Sequence, residues 1–224
     1  MRLIILFIMV LSGLMVMTAL PAVAVPGLEQ IWLHAPTQYK VTEKTSLIGD
    51  LSPRIGTDDG QLDQLILRTG VQRKLTRSLS GTLGFDSVDN FDPSRNHENR
   101  IWQQLQTQHR FKSYTLTSRL RMEERHWNGK PGNSVRWRMM MKSAQRIGAS
   151  RFSVIYSDEL FLTLNTMPDG PVAGVDRNRL FAGMGYAIDR NKNLEAGYRI
   201  EYINKTDTDD ETRRQIVVQM ANLF

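Results

Sequence analysis

The chain has 224 residues, 29 Lys and Arg against 23 Asp and Glu, a formal net charge of +6, and no cysteine. That length holds one domain or a single barrel, and the lack of cysteine excludes a disulfide framework and thiolate chemistry. A basic balance can mark nucleic-acid binding, but the export signal at the start makes nucleic acid an unexpected partner.

Met1 and Arg2 are followed by an apolar run over 3–17 and by small residues ending in Ala22-Val23-Ala24. A basic start, an apolar core and an A-x-A site predict a secretory signal peptide over 1–24, cleaved after Ala24, and a single domain over 25–224. No later stretch offers the roughly 18 apolar residues of a membrane helix. The negative mean hydropathy also argues against a helical membrane protein, yet it is ordinary for a barrel in which every second residue is polar.

From residue 28 onward, apolar and polar residues alternate between recurring turn signals. The alternation predicts strands over 46–55, 62–73, 78–89, 98–110, 114–127, 134–144, 151–164, 175–188, 194–204 and 212–224. Segment 98–110 also fits a helix, because Ile101 and Leu105 share a helical face. In 28–41 the run breaks at Ala35-Pro36, which suggests either two short strands or none in the barrel. Ten strands are the expectation and twelve the alternative, since bacterial barrels carry even numbers.

Segment 114–127 states the central ambiguity. Tyr114, Leu116, Ser118, Leu120 and Met122 fall on one face, and Thr115, Thr117, Arg119, Arg121, Glu123 and Arg125 on the other. A soluble sandwich turns the first face inward; a membrane barrel turns the second inward. The connections decide. Short turns at 73–78, 110–114, 144–151 and 188–194 alternate with longer polar loops at 55–61, 89–98, 128–133, 165–174 and 204–211. Tight turns on one rim and loose loops on the other predict an all-β, antiparallel up-and-down transmembrane β-barrel in the outer membrane of a Gram-negative bacterium. The chain ends on a strand closing at Phe224, the form read by the barrel-assembly machinery, although Asn222 stands where an aromatic residue is usual. The outer face is then expected to meet outer-membrane lipid.

Five motifs occur in order: ENRIWQQ at 98–104, RLRMEER at 119–125, VRWRMMM at 135–141, DELF at 158–161 and GVDRNRLFAGMGY at 174–186. Together they resemble the uncharacterised bacterial family catalogued as domain of unknown function 2490, from about Trp32 to the C-terminus. The resemblance implies an exported, barrel-like outer-membrane protein. It carries over no catalytic residue.

Parity places a charge network in the lumen: Arg100, Arg119, Arg121, Glu123, Arg125, Arg136, Arg138, Glu159, Arg177, Arg179, Glu195, Arg199 and Glu201. An unpaired charge in such an interior costs several kcal/mol, so these groups should pair; Glu123 should meet Arg100, Arg136 or Arg138. The expected function is an envelope barrel filled by this network, without catalytic activity. The alternatives are a small anion-preferring channel or ligand-binding barrel, with a small anionic solute as its partner, or a soluble periplasmic binding protein. No metal or cofactor is expected. His34, His97, His109 and His126 lack metal-ligand spacing. His126 near Glu123 is the best candidate base should there be an enzyme, and Asp207, Asp209, Asp210 and Glu211 lack the pattern of a calcium loop. The aromatics Tyr114, Trp127, Trp137, Tyr186, Tyr198 and Tyr202 fit interfacial belts.

Overall fold

Runs of alternating residues, 11 to 15 long, become strands because only an extended backbone sends neighbouring side chains to opposite faces. The structure, a computed structural model, describes residues 27–91, 95–168, 170–189, 192–205 and 209–222. The expected signal peptide over 1–24 and the terminal Phe224 lie outside these.

The elements are β1 (Gln30–Lys40), β2 (Thr45–Gly56), β3 (Leu62–Lys74), β4 (Leu79–Asn90), β5 (Asn96–Arg110) and β6 (Tyr114–Trp127). They continue as β7 (Ser134–Arg146), β8 (Phe152–Thr163), β9 (Gly174–Ala187), β10 (Lys192–Ile203) and β11 (Glu211–Asn222). Each pairs with its sequence neighbours, and β1 meets β11 to close a barrel. Segment 98–110 lies within β5, so the helical alternative is corrected.

The strand count is eleven, not ten or twelve. Residues 28–41 neither split nor drop out; they supply one strand, β1. With an odd number of alternating strands, the first and last run the same way, so β1 pairs with β11 in parallel, from Gln30↔Gln215 to His34↔Gln219. Every other pairing is antiparallel. Pro36 is tolerated because it lies beyond the last residue paired to β11, where β1 has only β2 beside it.

Connections at one rim are three to five residues long, and at the other five to ten. Two of the tight turns share a device. Thr42 Oγ1 accepts hydrogen bonds from the backbone N–H of Lys44 and Thr45, and Thr76 Oγ1 does the same for Ser78 and Leu79.

The two faces differ sharply. Most outward residues are apolar and open, with Leu83 66% and Ile101 65% exposed, Asp158 and its partner Asn178 being polar exceptions, while inward Asp86 and Glu123 are 0% exposed. The interior also holds aromatics seated on glycine. A Cβ at Gly84 would lie 2.1 Å from the Trp102 ring, and one at Gly183 or Gly197 would lie 2.7 Å from Phe181. Any larger residue there would push the ring into the lumen.

Candidate functional site

Because parity alternates without interruption along β6 and β7, successive inward positions stack charge above charge. Glu123 is the hub. Arg136 Nη2 donates to its Oε2 at 2.6 Å and Arg138 Nη1 to its Oε1 at 2.7 Å. Arg121 Nη1 lies 3.6 Å from the same carboxylate, and its other nitrogens donate to Gln104 Oε1 at 2.7 and 2.9 Å. A carboxylate that accepts from two strand-borne guanidiniums and leans on a third fixes the β6–β7 register from inside.

The remaining charges link strands farther apart. Arg119 on β6 reaches Glu159 on β8 at 2.6 Å, bridging over Met140, the inward residue of β7 between them. Glu159 also accepts from Arg138 and lies 4.0 Å from Arg179. Arg136 continues to Asp176 on β9 at 2.9 Å. Glu201 gathers Arg177 and Arg179 through Oε1 and Gln215 through Oε2. Arg100 turns not to Glu123 but to Glu98, which it shares with Arg125 at 2.7 and 2.6 Å. Glu195 stands apart, held by Lys142 at 2.5 Å from three strands away.

The structure therefore brings most of the expected charged residues into linked pairs and adds members that parity reading passed over: Asp50, Arg68, Asp86, Glu98, Lys142 and Asp176. Arg68 and Asp86 form a two-bond fork at 2.8 Å, with Trp102 Nε1 donating to the same carboxylate at 2.6 Å. The signal for five of them was available, since Asp50, Arg68, Asp86, Glu98 and Lys142 sit on the inward parity of their strands; Asp176 has the outward parity of β9 and falls where the β8–β9 register shifts, which parity could not show.

Arg199 is the exception among the expected set. It has no carboxylate within ion-pair distance among the described residues, and neither does Arg54 on β2. Both guanidiniums instead lie over the buried Trp32 indole, at 4.7 and 3.5 Å from its centroid, and Arg179 joins them at 4.9 Å. Beside this indole, Ser52 Oγ lies 2.6 Å from His34 Nδ1 and 2.8 Å from Asp50 Oδ2. The three residue types suggest a nucleophilic triad, but the wiring does not. One hydroxyl proton serves both contacts only if Nδ1–H donates to Oγ and Oγ–H donates to Asp50, so the imidazole is no base toward Ser52.

The other sequence candidates go elsewhere. His126 shares Nδ1 with Asn133 Oδ1 at the loop rim and is exposed. In the acidic run, Asp210 accepts from Tyr202 and from the Lys205 N–H, bonds that hold its carboxyl below the usual range, and Glu211 pairs with Lys205. Asp207 lies outside the described residues. A cavity of about 910 Å³ runs through the lumen, lined among others by Trp32, Arg54, Gln72, Arg138 and Arg199.

Three comparisons bear on this arrangement. The family described as "Protein of unknown function (DUF2490)" matches residues 29–212. An uncharacterized protein of Methylorubrum extorquens is 29% identical over 174 residues, which cover 75% of this chain and 76% of that one. Among solved structures, LpxR from Salmonella typhimurium superposes with a TM-score of 0.47 at 8% identity, over 79% of this chain and 83% of that one.

Proposed function

The chain belongs to the DUF2490 family, whose function is not known, and from its geometry we infer an integral outer-membrane β-barrel without catalytic activity, its interior braced by arginine–carboxylate pairs. One observation carries this reading. The barrel is inverted relative to a soluble one, with Leu83, Ile101, Leu105, Leu120, Met141 and Leu180 open on the outside and ion pairs enclosed within. In water that outer surface would be a large apolar patch without cover; in lipid it is covered.

The dimensions agree. A strand of 12 residues runs about 40 Å at about 3.3 Å per residue, and tilted by about 40° it crosses roughly the thickness of a bilayer core. Aromatic pairs stand outward near the short-turn rim, where interfacial belts belong: Phe111 stacked on Tyr114 at 4.3 Å, and Phe152 against Tyr186 at 5.1 Å. The expected signal peptide supplies the route of export, and the last strand is the segment the assembly machinery would read.

Absence of catalysis is part of the proposal and rests on the wiring of Ser52. The experiment is fractionation of cells expressing the full chain, with gel mobility before and after boiling. Recovery in the outer-membrane fraction, with a band that shifts on heating, supports the reading. Recovery as a soluble protein that folds without detergent favours the periplasmic binding protein instead.

A further inference from the structure

Most arginines of the charge network reach a carboxylate, and the two that lie on Trp32 do not. Arg54 and Arg199 approach this indole from β2 and β10, and neither has a carboxylate within ion-pair distance among the described residues. Arg54 Nε is enclosed with no acceptor at all. The carboxylates whose fields reach them are already engaged. Glu201 is occupied on both oxygens by Arg177, Arg179 and Gln215, and Glu159 accepts on Oε1 from Arg119 and Arg138, with Arg179 4.0 Å from Oε2. Asp50 gives Oδ2 to Ser52, with Arg68 at 3.9 Å; its Oδ1 is buried without a hydrogen bond, and neither Arg54 nor Arg199 lies within ion-pair distance of it.

Two uncompensated guanidiniums in a partly desolvated lumen are costly. The indole face offsets part of that cost through its quadrupole, but it accepts no hydrogen bond from them in their plane. The unmatched charge of both side chains faces the lumen, because both line the 910 Å³ cavity. Its chemistry is specific: two planar forks of N–H donors on one indole, with Arg179 over the same ring but already held by Glu201 and so adding charge rather than free donors, suit a tetrahedral oxyanion and match a cation or a neutral solute poorly.

We propose that Arg54 and Arg199, held on Trp32, form a binding subsite for a phosphate-type oxyanion inside the barrel. This goes beyond a lumen braced by its own ion pairs, and it does not depend on the membrane reading, since the subsite exists in whichever medium the barrel folds. The phosphate could be carried by a free solute or by a lipid headgroup, and the test separates the two.

The full-length mature chain, refolded and checked by its heat-dependent gel mobility, is titrated calorimetrically in phosphate-free buffer. The probes are inorganic phosphate, glycerol 3-phosphate and micellar dihexanoyl phosphatidic acid. Saturable binding is expected, weakened about tenfold by Arg54→Gln or Arg199→Gln and lost in the double variant. The control Lys40→Gln/Lys44→Gln removes the same net charge from the exposed end of β1 and the turn after it and should leave binding unchanged. Binding of the free phosphates identifies an aqueous ligand; binding of the phosphatidic acid alone identifies a lipid one, and both support the subsite. A second readout guards against misfolding. Without phosphate the two Gln variants should unfold no earlier than the wild type, and added phosphate should raise the wild-type midpoint but not that of the double variant. No saturable binding, or binding that survives in the double variant, overturns the proposal.

Discussion

The two ends of the lumen are lined by the same strands and yet are built on opposite principles. Toward the long-loop rim, Glu98, Glu123, Asp176 and Glu201 each hold two arginines. Toward the short-turn rim the inward positions include Gln38, Gln72, Gln106 and Gln108, with Gln38 donating to Gln72 at 3.1 Å, and Lys142–Glu195 is an ion pair at that end. Charges in a partly desolvated interior favour matched partners, and except for Arg54 and Arg199 on Trp32 the first end is interlocked across several strands. Neutral amides can trade a protein partner for water at little net cost. The difference teaches where the barrel's rigidity resides: in the loop-side half, with the turn-side half left adaptable.

The comparison breaks most easily at its hub. Glu123→Ala leaves Arg121, Arg136 and Arg138 facing one another, and urea unfolding in detergent should register a loss of about 3–5 kcal/mol. The outer face comes next. Leu120→Arg places a charge toward lipid and should cost about 2–4 kcal/mol if that position lies near mid-membrane, read by the same unfolding series. At the turn-side end, Lys142→Gln removes one charged partner while Gln219 still donates to Glu195 at 2.6 Å. The loss there should stay within about 1.5–3 kcal/mol. Smallest of all, Gln72→Ala gives up one neutral hydrogen bond and should cost about 0.5–1.5 kcal/mol. A Gln72→Ala loss equal to that of Glu123→Ala would erase the distinction between the two ends.

The architecture was largely legible because a strand's two faces are written in its own sequence. The rows Arg119, Arg121, Glu123 and Arg125 on β6, and Arg136 and Arg138 on β7, needed only parity. Partner choice within the β6–β7 hairpin was nearly legible too, since the 128–133 loop constrains which residues can oppose Glu123. What parity could not supply was closure. Gln30 meets Gln215 from 185 residues away, so nothing local in 28–41 reveals that β1 will seal a parallel seam, and an even count looked natural. The interior aromatics were hidden for a different reason. Trp32 and Trp102 are apolar residues on polar rows; Gly84 across the ladder makes room for the Trp102 ring, whereas Trp32 stands between Arg54 and Val217. The Arg54–Trp32–Arg199 grouping joins β10, β1 and β2, and so depends on that same seam.

The most direct test of the account exploits the absence of cysteine. Single cysteines placed at Leu120, Met139 and Leu180, and at Gln72, Gln106 and Ser157, can each carry a bimane fluorophore in protein folded into vesicles containing nitroxide-labelled lipid. The account expects strong quenching at the first three positions and weak quenching at the second three, with a water-soluble quencher reaching the second set. Strong lipid quenching at Gln106 and Ser157 beside protection at Leu120 would contradict the assignment of a charged interior and a lipid-facing exterior.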